Sequence, residues 1–425
     1  MIGQVEERRE IRNLRAIKIR TINSFHFAAL LYLVLAAGFG LYISGHASPD
    51  LQVSGWFMLH AHLAFMGFGT LTVLGAQKVL ATHVRRGWDA YEPGPMPGMG
   101  FLLIIIFCLL ATWGMYLAQG LTGNDLYYLG GMAGAAGMLL CLTVFTVRVY
   151  RGISLRTLRS NMPARFFLTS ILICFLAYGQ LIYITAFTFL PWLPFSSTMP
   201  LRVNYLAFSF PLSLTVMACI RMPFHLHDER EKKKRFKPLW EAQYAILVAG
   251  VFALFFSLVF DTPHFHDVST VLQAAFSGIL FLSILLLIGA MITDRRKDRS
   301  LPWHIWRYYV SAVTYLALAG VAGFLLGYGW NRHYFLIQSH IHLALLGWIG
   351  FGLMGVYNYL LHMAGRSPCR YGNANFYLMH AAVILIHAGI LAKSWMLRGA
   401  AGACVAAAAL LLLQCAAREF HSTRE

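Results

Sequence analysis

The chain has 425 residues, of which 58% are hydrophobic and only 12% charged, against about 25% charge in an ordinary soluble domain; a soluble globular protein is excluded. Its 34 Lys and Arg against 17 Asp and Glu leave a net charge of +17. That balance would suit a nucleic-acid binder only if the basic residues formed one patch.

A bilayer span takes about 20 mostly apolar residues, and twelve windows of that kind occur in chain order. They cover 24–44, 56–80, 100–120, 126–147, 166–190, 203–222, 240–260, 270–293, 305–328, 335–361, 374–392 and 400–417. The first is too long and too late, and lacks the small-residue cleavage site, for a removable signal peptide. The expected fold is therefore all-α, a polytopic membrane protein of about twelve transmembrane helices. Residues 1–23 form an N-terminal segment, 24–418 a single transmembrane domain and 419–425 a tail.

The basic residues sort by alternate loops. The N-terminus and the loops after even-numbered spans hold Arg8, Arg9, Arg85, Arg86, Arg151, the run Lys232 to Arg235, and Arg295 to Lys297. Only Arg202, Arg332, Lys393 and Arg398 lie in the opposite loops. The positive-inside rule then places both termini in the cytoplasm, and a bacterial inner membrane is the expected location. Charge spread in this way makes the bilayer a partner and nucleic acid none. The seven cysteines form neither CxxC nor CxxCH, so no zinc knuckle, disulfide framework or covalently attached c-type haem is expected.

Seventeen histidines are many for a membrane chain, where ionisable residues are costly enough to be functional hypotheses. Two segments repeat each other: His60-Ala-His62-Leu-Ala-Phe-Met-Gly67 in the second span and His340-Ile-His342-Leu-Ala-Leu-Leu-Gly347 in the tenth. Both read HxHLAxxG and both enter the membrane from the same side. Residues two apart on a helix diverge by about 200°, so the histidines of one motif face opposite sides. One ion chelated between them is disfavoured; two different haems or metals on either side suit the geometry. The alternative is that these histidines bond backbone carbonyls or line a wet cavity. His380 and His387 share a face of the eleventh span, either as cavity or haem-edge contacts or as a packed helix face.

Twelve spans, a histidine near the outer end of the second and HxH in the tenth resemble subunit I of the haem–copper oxidase superfamily. Ser339 to Phe351, SHIHLALLGWIGF, is most similar to the cbb-type branch. The Leu59-His60 and Phe65-Met-Gly-Phe-Gly69 stretch resembles that branch's low-spin haem helix. The resemblance implies a bundle of the subunit I type with two b-type haems. It implies that His60 and His342 ligate a low-spin haem and that His340 is the proximal ligand of a high-spin, gas-binding haem. His62 has no counterpart in the pattern, and is either a substitute ligand, a propionate partner or a core residue.

The copper positions depart from the family. The outer half of the sixth span, from Val203 to Pro211, holds no histidine, and the seventh ends Pro263-His264-Phe265-His266 where the family has an adjacent His-His pair. A three-His copper centre cannot be assembled from matched positions; His264 and His266 are either ligands of a degenerate metal site or loop histidines. Tyr244 occupies a position similar to the tyrosine of the cbb-type seventh helix and is a candidate catalytic residue. Every Asp and Glu lies in a loop or at a span edge, which argues against proton pumping.

Three functions follow. The first is a redox subunit of a respiratory chain, oxidase-like or nitric-oxide-reductase-like, taking electrons from a cytochrome or quinol, with other membrane subunits as further partners. The second is a non-catalytic haem or metal accessory protein that binds or senses O2 or NO, comparable to nitric-oxide-response membrane proteins. The third is a transporter.

Overall fold

A computed structural model describes residues 25–43, 60, 63–86, 125–151, 153–154, 158, 160–187, 210–222, 238–259, 266–297, 301–326, 334–363 and 372–421. Among the described residues there are eleven helices and no strand. They are α1 (Phe25–Ile43), α2 (Leu63–Gly69 continuing through Thr70–Arg86), α3 (Asp125–Tyr150), α4 (Met162–Phe187) and α5 (Phe210–Met222). α6 (Pro238–Val259), α7 (His266–Lys297) and α8 (Trp303–Leu325) follow. α9 runs Tyr334–His342, Leu343–Gly350 and Phe351–Met363 without a break, and α10 (Gly372–Leu391) and α11 (Trp395–His421) close the chain.

Eight helices carry stretches long and apolar enough to cross a membrane, and the chain is an integral membrane protein on that ground. They coincide with the first, fourth, fifth and eighth to twelfth expected spans. The second, sixth and seventh are helical too; the sixth and seventh appear as the shorter apolar helices Phe210–Met222 and Pro238–Ala253. The third, 100–120, lies outside the described residues.

The bundle is apolar on both sides of its helices. Phe25, Phe145, Phe166, Phe167, Tyr308 and Phe351 are fully buried between helices, while Leu35, Val147, Leu172, Leu285, Leu318 and Ile384 stand exposed on the outside. In water such outward leucines would form an aggregation-prone patch; in a bilayer they are the lipid-facing surface. Consecutive helices pack as pairs, α3 on α4, α6 on α7, α8 on α9 and α10 on α11.

Buried polar side chains knit the pairs together, as they must where no water is present to satisfy them. Gln77 donates to the Phe167 carbonyl at 2.9 Å and accepts from the Tyr150 hydroxyl at 3.2 Å, tying α2, α3 and α4. At another helix end Asp294 accepts from Arg221 Nη1 at 3.1 Å and from Trp240 Nε1 at 2.8 Å, joining α7 to α5 and α6. This carboxylate follows the eighth window directly, yet it is buried. Cys415 is disulfide-bonded, whereas Cys141, Cys174, Cys219 and Cys404 are free. No paired cysteine spacing in the sequence announced that bond.

Candidate functional site

The first histidine of each HxHLAxxG motif sits in the same kind of seat. His60 Nδ1 donates to the Ala36 carbonyl of α1 at 2.6 Å, and a methyl group placed on Gly40 would lie 2.9 Å from His60 Cε1. His340 Nδ1 donates to the Ala319 carbonyl of α8 at 2.8 Å, and a methyl group on Gly323 would lie 2.8 Å from His340 Cε1. Ala and Gly stand one helical turn apart in both cases, so the carbonyl is reachable only because the next turn has no side chain.

The match continues along the helices. Gly67 packs on the Tyr32 ring and Gly347 on Tyr315; a further two turns on, Gly75 packs on His26 and Gly355 on Tyr309. Each pair is in contact close enough that a Cβ would collide. The partner helices share the pattern YLxLAxxxG, Tyr32 to Gly40 reading YLVLAAGFG and Tyr315 to Gly323 reading YLALAGVAG. The repeat is therefore a two-helix unit, α1–α2 and α8–α9, and the visible HxHLAxxG is half of it. Directly after the histidines both units widen into π-helical turns, Leu63–Gly69 and Leu343–Gly350. Such turns are rare and cluster at functional sites.

The second histidine of the α9 motif faces elsewhere. His342 Nδ1 donates to the Gln338 carbonyl of its own helix at 2.8 Å, and the titratable groups that act on it electrostatically are His387 and His60. His340 faces α8, and His342 lies within electrostatic range of His60 on α2 and His387 on α10. This is the divergence that the i, i+2 spacing leads one to expect. His387 Nδ1 donates to the Val383 carbonyl at 2.7 Å, while its Nε2 is buried with no hydrogen-bond partner. A buried polar atom left unpaired costs about 1–3 kcal/mol, so the His387 Nε2 is a further imidazole nitrogen open to a ligand group.

His60, His340 and His342 have one feature in common. Because a carbonyl can only accept, Nδ1 carries the proton in each, and the Nε2 lone pair is left to a ligand. A metal-binding imidazole is held in that tautomer by that kind of outer hydrogen bond. The donor set thus fits axial ligation of haem iron. Among the described residues no three His, Cys, Asp or Glu side chains gather into a group able to hold a metal ion by themselves; a haem asks for only one or two axial ligands.

The other candidates fall elsewhere. His62 and His264 lie outside the described residues, as does the side chain of His266. Tyr244 is in the second turn of α6, where its hydroxyl meets Thr169 Oγ1 at 2.7 Å and its ring lies edge-on to Phe166 and under Arg165, which pairs with Glu241. Among the described residues these hydrogen-bond and ring contacts are with α4, and none is with His60, His340 or His342. His380, on the same face as His387, meets two hydroxyls of α8: Ser311 Oγ at Nε2, 3.2 Å, and Tyr315 at Nδ1, 2.7 Å. The sequence reading missed those hydroxyls, and it missed the YLxLAxxxG stripe, the one signal that would have extended the repeat. His26, in the first turn of α1, is buried against Tyr357.

Compared with known proteins, the chain matches no protein-family model and no curated sequence.

Proposed function

We propose that this chain is a haem b-binding integral membrane protein resembling subunit I of the haem–copper oxidase superfamily, a bundle of about twelve helices that binds a diatomic gas, O2 or NO, and passes electrons to it. The observation that carries the reading is the set of three imidazoles, His60, His340 and His342, each held at Nδ1 by a backbone carbonyl with Nε2 left to a ligand. His60 and His342 would hold the low-spin haem between α2 and α9. His340, on the opposite side of α9, would hold the high-spin haem. Haem iron supplies one-electron transfer at the first position and gas binding at the second.

The residues around these positions orient and exclude. Ala36 and Ala319 fix ring rotation and tautomer through their carbonyls; Gly40 and Gly323 let the rings approach; the apolar helix faces keep water out. Electrons would arrive from a cytochrome or quinol, with both termini and the basic loops on the cytoplasmic side of a bacterial inner membrane. The departure at Pro263-His264-Phe265-His266 favours a second reading, an accessory protein that binds or senses NO without turnover. A transporter is the third reading.

The test is the CO-difference spectrum of the purified full chain. His340→Ala is expected to remove the CO-reactive signal while at least most of the low-spin haem absorbance stays. A CO-reactive signal that survives in His340→Ala would overturn the placement of the gas-binding haem.

A further inference from the structure

The two repeated units differ at several polar positions, one of which lies beside His380. Counting back from the shared tyrosine, Ser311 of α8 stands where α1 has Ala28. Ser311 and Tyr315 are one helical turn apart on α8, and the ring of His380 from α10 lies between their hydroxyls, with Nε2 on Ser311 and Nδ1 on Tyr315. The Phe351 and Phe376 rings flank it at 4.5 and 4.6 Å. A histidine that only glues two helices together needs one bond across the interface. Here both nitrogens are bonded to hydroxyls of one neighbouring helix, so the hydrogen-bonded chain runs along α8 instead of across to it.

We propose that Ser311, His380 and Tyr315 form a proton relay serving the gas-binding site at His340. The proposal rests on the reading of His340 as a haem ligand. The relay points the right way: the next turn of α8 after Tyr315 is Ala319, whose carbonyl holds His340, about 6 Å further along the axis at 1.5 Å per residue. It belongs to the unit that carries the gas-binding haem, where reduction of O2 or NO consumes protons. The unit that carries His60, where only electrons pass, has alanine in place of the serine.

The step balances without an electron. Ser311 donates its hydroxyl proton to His380 Nε2 as Nδ1–H is given to the Tyr315 oxygen, and the tyrosine's own proton moves on toward the site. Ser311 is reprotonated from the side of Arg307 and Tyr308, Arg307 lying 4.4 Å over the Phe376 ring. The imidazole ends in its other tautomer, and rotation of the two hydroxyls resets it; imidazole is the side chain best suited to such a shuttle. Titratable groups on the packed helices include Arg307, Tyr308 and Tyr309 on α8, His340 and His342 on α9, and Tyr377 and His387 on α10.

The experiment mixes the oxidised, haem-loaded full chain with a fast reductant in the presence of a pH-indicating dye and follows proton uptake alongside haem reduction. Tyr315→Phe keeps the ring packed on Gly347 and removes only the hydroxyl; Ser311→Ala restores the first unit's residue; Ser311→Thr keeps a hydroxyl. Proton uptake is expected to slow by about a hundredfold or more in Tyr315→Phe and Ser311→Ala, the usual range for loss of a proton-transfer group, and to recover in Ser311→Thr. The CO-difference spectrum is expected to stay unchanged in all three. Wild-type uptake rates in both Tyr315→Phe and Ser311→Ala, with the CO signal intact, would overturn the relay alone. A wild-type protein with no CO-reactive haem would overturn the functional reading and the relay with it.

Discussion

Replacing His342 by alanine is expected to abolish the low-spin haem absorbance in the reduced-minus-oxidised spectrum while the CO-reactive signal persists. His342 is the member of the α9 motif on which His60 and His387 act electrostatically. A low-spin haem needs a strong ligand on each side of the iron, so removing one imidazole opens a coordination position. The outer hydrogen bond to Gln338 offers no substitute, because a carbonyl on the same helix cannot reach across to the iron. His60→Ala is expected to act in the same way from the other side. Retention of the low-spin signal in His342→Ala would show that the pair is wrongly assigned; unchanged elution and thermal unfolding would show that the variant had folded.

Asp294→Ala is expected to cause the largest loss of stability of any single polar substitution discussed here, about 3–5 kcal/mol, the usual consequence of removing one partner of a buried ion pair. The Arg221 side chain is 1% exposed and that of Asp294 10%, so solvent gives little relief to the guanidinium when the carboxylate is gone. Trp240 would lose its acceptor at the same time. Asp294→Asn keeps an oxygen for the indole and removes only the charge, and its loss should be smaller. The contrast is read as the thermal unfolding midpoint of the detergent-solubilised protein. A loss below about 1 kcal/mol for Asp294→Ala, the range of an exposed pair, would mean that the contact is solvated. The Arg165–Glu241 pair, only partly buried with side chains 22% and 43% exposed, is the internal comparison.

The helices and the paired histidines could be read from the chain because both depend on local pattern. A window of apolar residues reports a span whatever lies beside it, and HxHLAxxG is distinctive enough to be seen twice. The seats of those histidines could not be read. Ala36 and Ala319 act through carbonyls, which every residue carries, and Gly40 and Gly323 act by lacking a side chain. Tyr32 and Tyr315 had no visible meaning until their rings were found on Gly67 and Gly347. Asp294 stood next to Arg295, Arg296 and Lys297 and so looked like part of a solvated loop; its burial depends on Arg221 and Trp240, both more than fifty residues away. The partners of His380 were hidden for the same reason, being Ser311 and Tyr315 on another helix. The π-helical turns after each motif also left no trace, since no proline or charged residue marks them in Leu63–Gly69 or Leu343–Gly350.

The two-helix repeat also changes how the opening charge balance bears on function. Spread along the sequence, the +17 leaves the apolar windows almost without formal charge. Held tautomers of His60, His340 and His342, and the hydroxyl-bound ring of His380, then supply the polar chemistry between the helices.

The most direct measurement of the central claim is the haem content of the purified full chain, taken as the pyridine haemochrome together with the reduced-minus-oxidised and CO-difference spectra. Two b-type haems per chain, one of them low-spin and the other CO-reactive, are the predicted result. A chain that is folded and monodisperse in detergent but binds no haem, even after incubation with excess haem, would contradict it.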